Sequence, residues 1–311
     1  MRVFVAGASG AIGRPLIRQL IAAGHEVTGM TRREDRAAEI RAAGAEAAVC
    51  DVYDEAALQE AFSAARPEVV VNQLTSLPDR YDPRKASFYE ETDRLRGEGA
   101  RKLIAAAGKA GARRFVSQSI AFLYAPEGSW VKDEQARPHE EAPGHFRHAI
   151  EALVQHEREV VEAADLEGLI LRYGQFYGPG TYFAPDGHLG GEVAKRRFPI
   201  VGAGTGTFSF IHVEDAAGAT VAALDHGGPG IYNVVDDDPA PLHEWLPVYA
   251  EALGAKPPRR APAWLVRVVA GRAVVDNALG LRGASNARAK RELGWRPRFP
   301  SWRQGFREAA G

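Results

Sequence analysis

Over the first 172 residues, short apolar runs alternate with longer segments whose apolar positions recur at helical spacing. Val3 to Ala6 reads as a buried strand, and Ile12 to Ala23 as the helix that follows it, ended by Gly24. Glu26 to Met30 is a second strand, followed by a short helix from Arg36 to Ala43 that Gly44 closes. Ala47 to Cys50 is a third, with a helix around Glu55 to Ala65. Pro67 introduces a fourth, Val69 to Val71, ahead of a long helix near Tyr89 to Ala110. Arg114 to Ser117 is a fifth strand, Arg147 to Ala164 a helix, and Leu169 to Arg172 a sixth strand. Continuously apolar strands separated by helices belong to a parallel sheet covered on both faces, so the pattern predicts an α/β domain.

Beyond Arg172 the period disappears. Tyr173 to Gly206 is rich in glycine, proline and aromatic residues. A seventh strand is expected near 231–235, rejoining the main sheet, and helices near Leu242 to Leu253, Trp264 to Val275 and Ala287 to Leu293. The chain thus divides into residues 1–172 and a smaller, mostly helical region, 173–311, with a small-molecule ligand expected between them.

Composition narrows the function classes. With 39 basic and 40 acidic residues the formal net charge is -1, which gives no footprint for nucleic acid and no polybasic stretch for an anionic membrane. No apolar run reaches the roughly 18 residues of a membrane helix, and Arg2 to Ala6 reads as a strand where a signal peptide would have its apolar core. The lone Cys50 excludes an internal disulfide and fits a reducing, cytoplasmic compartment.

Gly7-Ala8-Ser9-Gly10-Ala11-Ile12-Gly13 lies directly between the first strand and its helix. Glycines there permit a tight turn and close approach of backbone to a pyrophosphate, and the helix start offers free N–H groups to its charge. The expected fold is therefore a Rossmann-type doubly wound sheet with a dinucleotide on this turn.

The G-x-x-G-x-x-G spacing resembles the short-chain dehydrogenase/reductase superfamily, in its extended or atypical branch near the epimerase/dehydratases. Further stretches carry the same resemblance in order: Cys50-Asp51-Val52, Val71 to Thr75, Phe115 to Ser119, Leu171 to Gly180, and Phe210 to Ala216. The resemblance implies that Asp51 and Val52 receive the adenine, and that Leu74 and Thr75 pass the cofactor ribose. It further implies that Gln118, Tyr173 and Phe176 lie by the nicotinamide, and that Ser119 hydrogen-bonds a substrate carbonyl. It also implies a homodimer formed through the fourth and fifth helices.

Where an NAD enzyme of this type carries an acid at the end of the second strand, this chain has Thr31-Arg32-Arg33. A guanidinium there suits the 2′-phosphate of NADP, so NADP is the expected cofactor. The superfamily's Tyr-x-x-x-Lys pair is missing from its helix. Anchoring on Glu157-Arg158 places Ala149 and Leu153 at the two positions. The sole Tyr-x-x-x-Lys spacing, Tyr81 to Lys85, contains Pro83 and follows the fourth strand, so it reads as coincidence. Tyr124 and Tyr173 are the candidate substitute acids, each needing its pKa lowered from about 10. His145, His148 and His156 lack the spacing of a metal site, and none is expected. These readings predict an NADP-dependent oxidoreductase acting on a small carbonyl or alcohol. They leave open a catalytically silent NADP-binding regulator or redox sensor, and a nucleotide-sugar epimerase or dehydratase.

Overall fold

The computed structural model describes residues 1–82, 84–85, 87–144 and 146–310, the side chains of Ala309 and Ala310 excepted. Its centre is a seven-stranded parallel sheet made of β1 (Arg2–Ala6), β2 (Glu26–Thr31), β3 (Glu46–Val49), β4 (Val69–Asn72), β5 (Arg114–Ile120), β6 (Glu167–Tyr173) and β7 (Gly230–Val234). Their order across the sheet is β7-β6-β5-β4-β1-β2-β3. The chain starts at β1, winds outward to β3, then crosses back to β4 on the other side of β1. The crevice above the β1–β4 boundary is where a doubly wound sheet binds its ligand.

Alternation along the strands supplies both faces of the core. Val3 and Val5 point to one side, against Leu16, Ile17 and Leu20 of α1 (Gly13–Ala22). Phe4 points to the other, beside Phe62 of α3 (Glu55–Ala65), with ring centroids 4.3 Å apart. Between them in sequence runs α2 (Glu34–Ala42), behind β3. The expected long helix is α4 (Ser87–Arg94) and α5 (Ala100–Lys109), joined through a π turn, Leu95–Gly99. Next comes α6 (Phe146–Val161), which presents Phe146, Ala149, Ile150, Leu153, His156, Glu157 and Val160 inward.

The C-terminal region is more ordered than its sequence texture suggests. Short strands Gln175–Tyr177 and Phe210–His212 pair in parallel. The segment then builds α7 (His188–Ala194), α8 (Val213–Ala222) and α9 (Leu242–Ala252). The helix expected from Trp264 to Val275 is two, α10 (Ala263–Ala270) and α11 (Arg272–Gly280), because Gly271 at φ 89° and ψ 154° is not helical. After α12 (Ala287–Glu292), α13 (Trp302–Ala310) closes a separate aromatic core with Trp302 and Phe306 against Phe210, Trp245 and Tyr249. Among the described residues no helix is long and apolar enough to cross a membrane.

Candidate functional site

The turn after β1 is shaped by what a side chain would strike. A Cβ on Gly13 would lie 2.3 Å from the Gly7 carbonyl oxygen and 2.5 Å from that of Ala8. Gly7 itself sits at φ 87°, and a Cβ there would lie 2.7 Å from the Gln73 carbonyl oxygen. The turn is therefore wedged between its own helix and the loop after β4. Helix α1 has no side-chain cap at Ile12, the Arg14 N–H donates to the Gly10 carbonyl oxygen (3.1 Å), and Pro15 carries no N–H, so the N–H groups the turn can offer are those of Ala11 to Gly13. Gly10 is exposed, and Ser9, Ala11 and Ile12 are half-buried around it. The loop after β6 reaches the same place: a Cβ on Gly180 would stand 3.8 Å from the Cβ of Ala11. A pyrophosphate fits this cradle, since bare backbone and a helix start meet where side chains cannot stand.

On the loop after β4, Leu74 is half-buried and donates its N–H to Asn72 Oδ1 (3.1 Å), while Thr75 is exposed. Gln118 donates to the Leu74 carbonyl (3.3 Å), tying the β5 end to this loop. Phe176 packs on Tyr173 with centroids 5.3 Å apart. At the end of β2, Arg33 is spent on Asp35, with Nε to Oδ1 at 3.0 Å and Nη2 to Oδ2 at 2.5 Å. Arg32 is not so held. Its side chain is 55% exposed and stands 3.9 Å from Asp51 Oδ2. Asp51 Oδ1 accepts the Tyr53 N–H (3.0 Å), and Val52 is buried in the core.

The three residues expected to act on substrate are brought to the ends of β5 and β6, and all are buried. Ser119 Oγ donates to Glu157 Oε1 at 2.6 Å. Glu157 in turn holds Arg172 through two contacts, Nε to Oε1 at 2.7 Å and Nη2 to Oε2 at 2.5 Å. Arg172 Nη1 reaches Tyr124 Oη (3.1 Å), which donates to Asn233 Oδ1 (2.6 Å). One network thus laces β5, α6, β6 and β7 together beneath the crevice. Tyr173 Oη lies elsewhere, bonded to Thr220 Oγ1 (2.7 Å) and receiving Gln73 Nε2 (3.0 Å). Burial pushes Tyr124 and Tyr173 each up to about 12, the opposite direction from the lowering that proton donation near neutrality requires.

Ala149 and Leu153 lie on the buried face of α6, where neither can carry a proton. His148 is 82% exposed beside Glu151, and His156 is buried against Ser117 Oγ (3.0 Å). His145 and Pro83 lie outside the described residues. Among the described residues no group of three or more His, Cys, Asp or Glu could hold a metal. His212 Nδ1 accepts the Glu214 N–H (3.2 Å), capping α8. Burial raises the Cys50 thiol to about 11, which keeps it protonated.

Burial, helped by the nearby Arg96 cation, lowers His156 to about 4. The unfolded chain therefore binds a proton below about pH 6.5 that the folded chain refuses. Stability should fall as pH drops from about 6.5 to 4, by about 3 kcal/mol from this group. Replacing His156 with Gln should flatten that part of a Tm-against-pH curve. An unchanged curve would show that His156 does not titrate in unfolding.

Two features escaped the sequence reading. Glu157 served only to place the missing pair, and its partner Arg172 lies across the sheet layer. Arg96 carried no motif, and its burial comes from the π turn. The spacing of Tyr89, Asp93 and Arg96 on one face was the available signal.

Residues 3–234 match the model of the NAD dependent epimerase/dehydratase family. Over 308 residues the chain is 47% identical to a Streptomyces 3-diazoavenalumate denitrifying reductase, covering 98% of this chain and 99% of the relative. It is 26% identical over 260 residues to a Stigmatella aurantiaca ketoreductase of a farnesylated quinoline oxide, covering 82% and 74%. Among solved structures, the Thermotoga maritima UDP-glucose 4-epimerase superposes with TM-score 0.79 at 20% identity, covering 100% of this chain and 97% of that one. A human epimerase family protein crystallised with NADPH superposes with TM-score 0.72 at 23% identity, covering 100% and 99%.

Proposed function

Because this chain belongs to the NAD dependent epimerase/dehydratase family, we propose that it is an NADPH-dependent reductase of a small molecule whose chemistry needs no proton from the protein. The observation that carries this reading is the blank stretch of α6. Ala149 and Leu153 stand where a Tyr–Lys pair would be, and the nearby Tyr124 and Tyr173 hydroxyls are buried, partnered and raised.

Bound along the crevice, the dinucleotide would supply hydride. The turn from Gly7 to Gly13 would hold its pyrophosphate, and Arg32 its 2′-phosphate. Asp51 and Val52 would border the adenine, with Leu74, Thr75, Gln118, Tyr173 and Phe176 toward the nicotinamide end. Ser119, Tyr124 and Arg172 would fix the floor of the site, their polar groups being committed to Glu157 and Asn233. A ketone that gains hydride becomes an alkoxide and needs a proton. A diazonium carbon that gains hydride and releases dinitrogen ends neutral. The Streptomyces relative's name describes a reduction in which a diazo compound loses nitrogen, and a site without a proton donor suits that class.

The test is NADPH consumption with an aryl diazonium probe and with a matched aryl ketone, corrected for the reaction without protein. Dinitrogen release equal to NADPH consumed, with the ketone untouched, is the expected result. Consumption of the ketone alone would favour the carbonyl reading, which the Stigmatella ketoreductase supports, with Ser119 orienting the carbonyl and a tyrosine donating. NADPH binding with no turnover would favour a regulator. In the same assay Arg32→Ala should weaken NADPH by roughly ten- to a hundredfold, the worth of one charge-assisted contact of about 1.5–3 kcal/mol. NADH binding should not change. Equal loss for both would remove the case for NADP.

A further inference from the structure

We propose that Arg96 supplies, from a neighbouring helix, the cation that α6 lacks, and that Arg96 and Asp93 together hold the nicotinamide ribose. The proposal rests on the dinucleotide reading above and adds a residue to it.

Arg96 lies inside the π turn Leu95–Gly99 that joins α4 to α5. Such turns are rare and are frequently found at functional sites. Arg96 is only 7% exposed. Its Nη1 donates to Asp93 Oδ1 at 3.1 Å, and its Nε finds no hydrogen-bond partner among the described residues. A guanidinium carries five N–H donors, and burying one with a donor unfilled is unfavourable unless a ligand completes it. Asp93 is 21% exposed, so the pair opens toward solvent on one side.

The direction in which the pair faces follows from spacing and contacts. Tyr89, Asp93 and Arg96 are four and three residues apart and share one helical face. That face meets α6. The Tyr89 ring lies 6.5 Å from Phe146 at the start of α6, and the Arg96 charge acts on His156 and Glu157 further along it. Between these two points, on the buried side of α6, lie Ala149 and Leu153. The cation of Arg96 is thus delivered beside the stretch where the resemblance places the superfamily's lysine, which helps bind the ribose. A carboxylate that accepts from one hydroxyl, beside a guanidinium that donates to its neighbour, suits a vicinal diol without adding net charge.

The experiment compares NADPH with 2′,5′-ADP, which carries the adenosine half and no nicotinamide ribose, by titrating the full chain calorimetrically. Arg96→Met should raise the Kd for NADPH about tenfold and leave that for 2′,5′-ADP unchanged. Adding Leu153→Lys to that variant should recover most of the loss. Asp93→Asn, which keeps the guanidinium, should weaken NADPH several-fold with 2′,5′-ADP again unchanged, and it decides the matter if Arg96→Met does not fold. Equal weakening of both ligands, or of neither, would make the ion pair a purely structural element and overturn the proposal. A wild-type chain that binds neither ligand would overturn the dinucleotide reading and this proposal with it.

Discussion

Glu157→Ala should cost about 3–5 kcal/mol of stability, the usual consequence of stranding one member of a buried ion pair. The reason lies in what would be left behind. Arg172 and Glu157 are 3% and 4% exposed, and among the described residues the Arg172 guanidinium keeps only Tyr124 Oη once the carboxylate is gone. Ser119 Oγ, fully buried, would lose its acceptor at the same moment. In a chain of this size the loss corresponds to roughly 5–15 °C in Tm. The pair need not be net stabilising, because desolvation opposes its attraction. The double variant Glu157→Ala with Arg172→Met should therefore be less damaged than the sum of its parts. Thermal melts of the two single variants and the double decide this. Additive losses would mean that the two side chains act independently, against the two short contacts between them.

The same pair shows where reading the sequence reaches its limit. The strands were legible because most are short apolar runs, and six of the seven lie within about two residues of where periodicity puts them, β5 running three residues further, to Ile120. The glycine turn was legible because its constraint is local: three glycines, one strand end and one helix start lie within a dozen residues. The network under the crevice is not local. Ser119, Glu157, Arg172 and Asn233 come from four elements, and nothing in the chemistry of any one of them announces the others. Tyr124 could be picked out by position, yet its raised pKa comes from burial in the folded chain, against which Arg172 and Asn233 act in the opposite direction. The π turn was hidden for a different reason. Helical spacing runs on through Arg94 to Ala100, and the extra residue is visible only once Arg96 is seen to turn toward α6. The aromatic core around Trp245 and Trp302 was hidden because its members are widely separated in a stretch without period.

Gly13→Val should abolish dinucleotide binding while leaving the chain folded enough to measure. The added Cβ would meet two carbonyl oxygens at 2.3 and 2.5 Å, both backbone, so no side chain can swing aside to admit it. The turn must open, and its displaced N–H groups then miss the phosphates they would otherwise meet together. Losing two charge-assisted hydrogen bonds of about 1.5–3 kcal/mol each weakens binding by on the order of 10² to 10⁴-fold. Gly108→Ala is the matched control, since a Cβ there meets nothing within 4 Å, and it should bind NADPH as the unaltered chain does. The two cofactor variants also separate two questions. Gly13→Val should remove NADPH and NADH alike, because both carry the pyrophosphate, whereas Arg32→Ala should act on NADPH alone. If Gly13→Val kept its NADPH affinity within a few-fold, the pyrophosphate would lie elsewhere, and the case for Arg32 would fail with it. The two residues can serve the same dinucleotide only if the turn after β1 fixes where its phosphates lie.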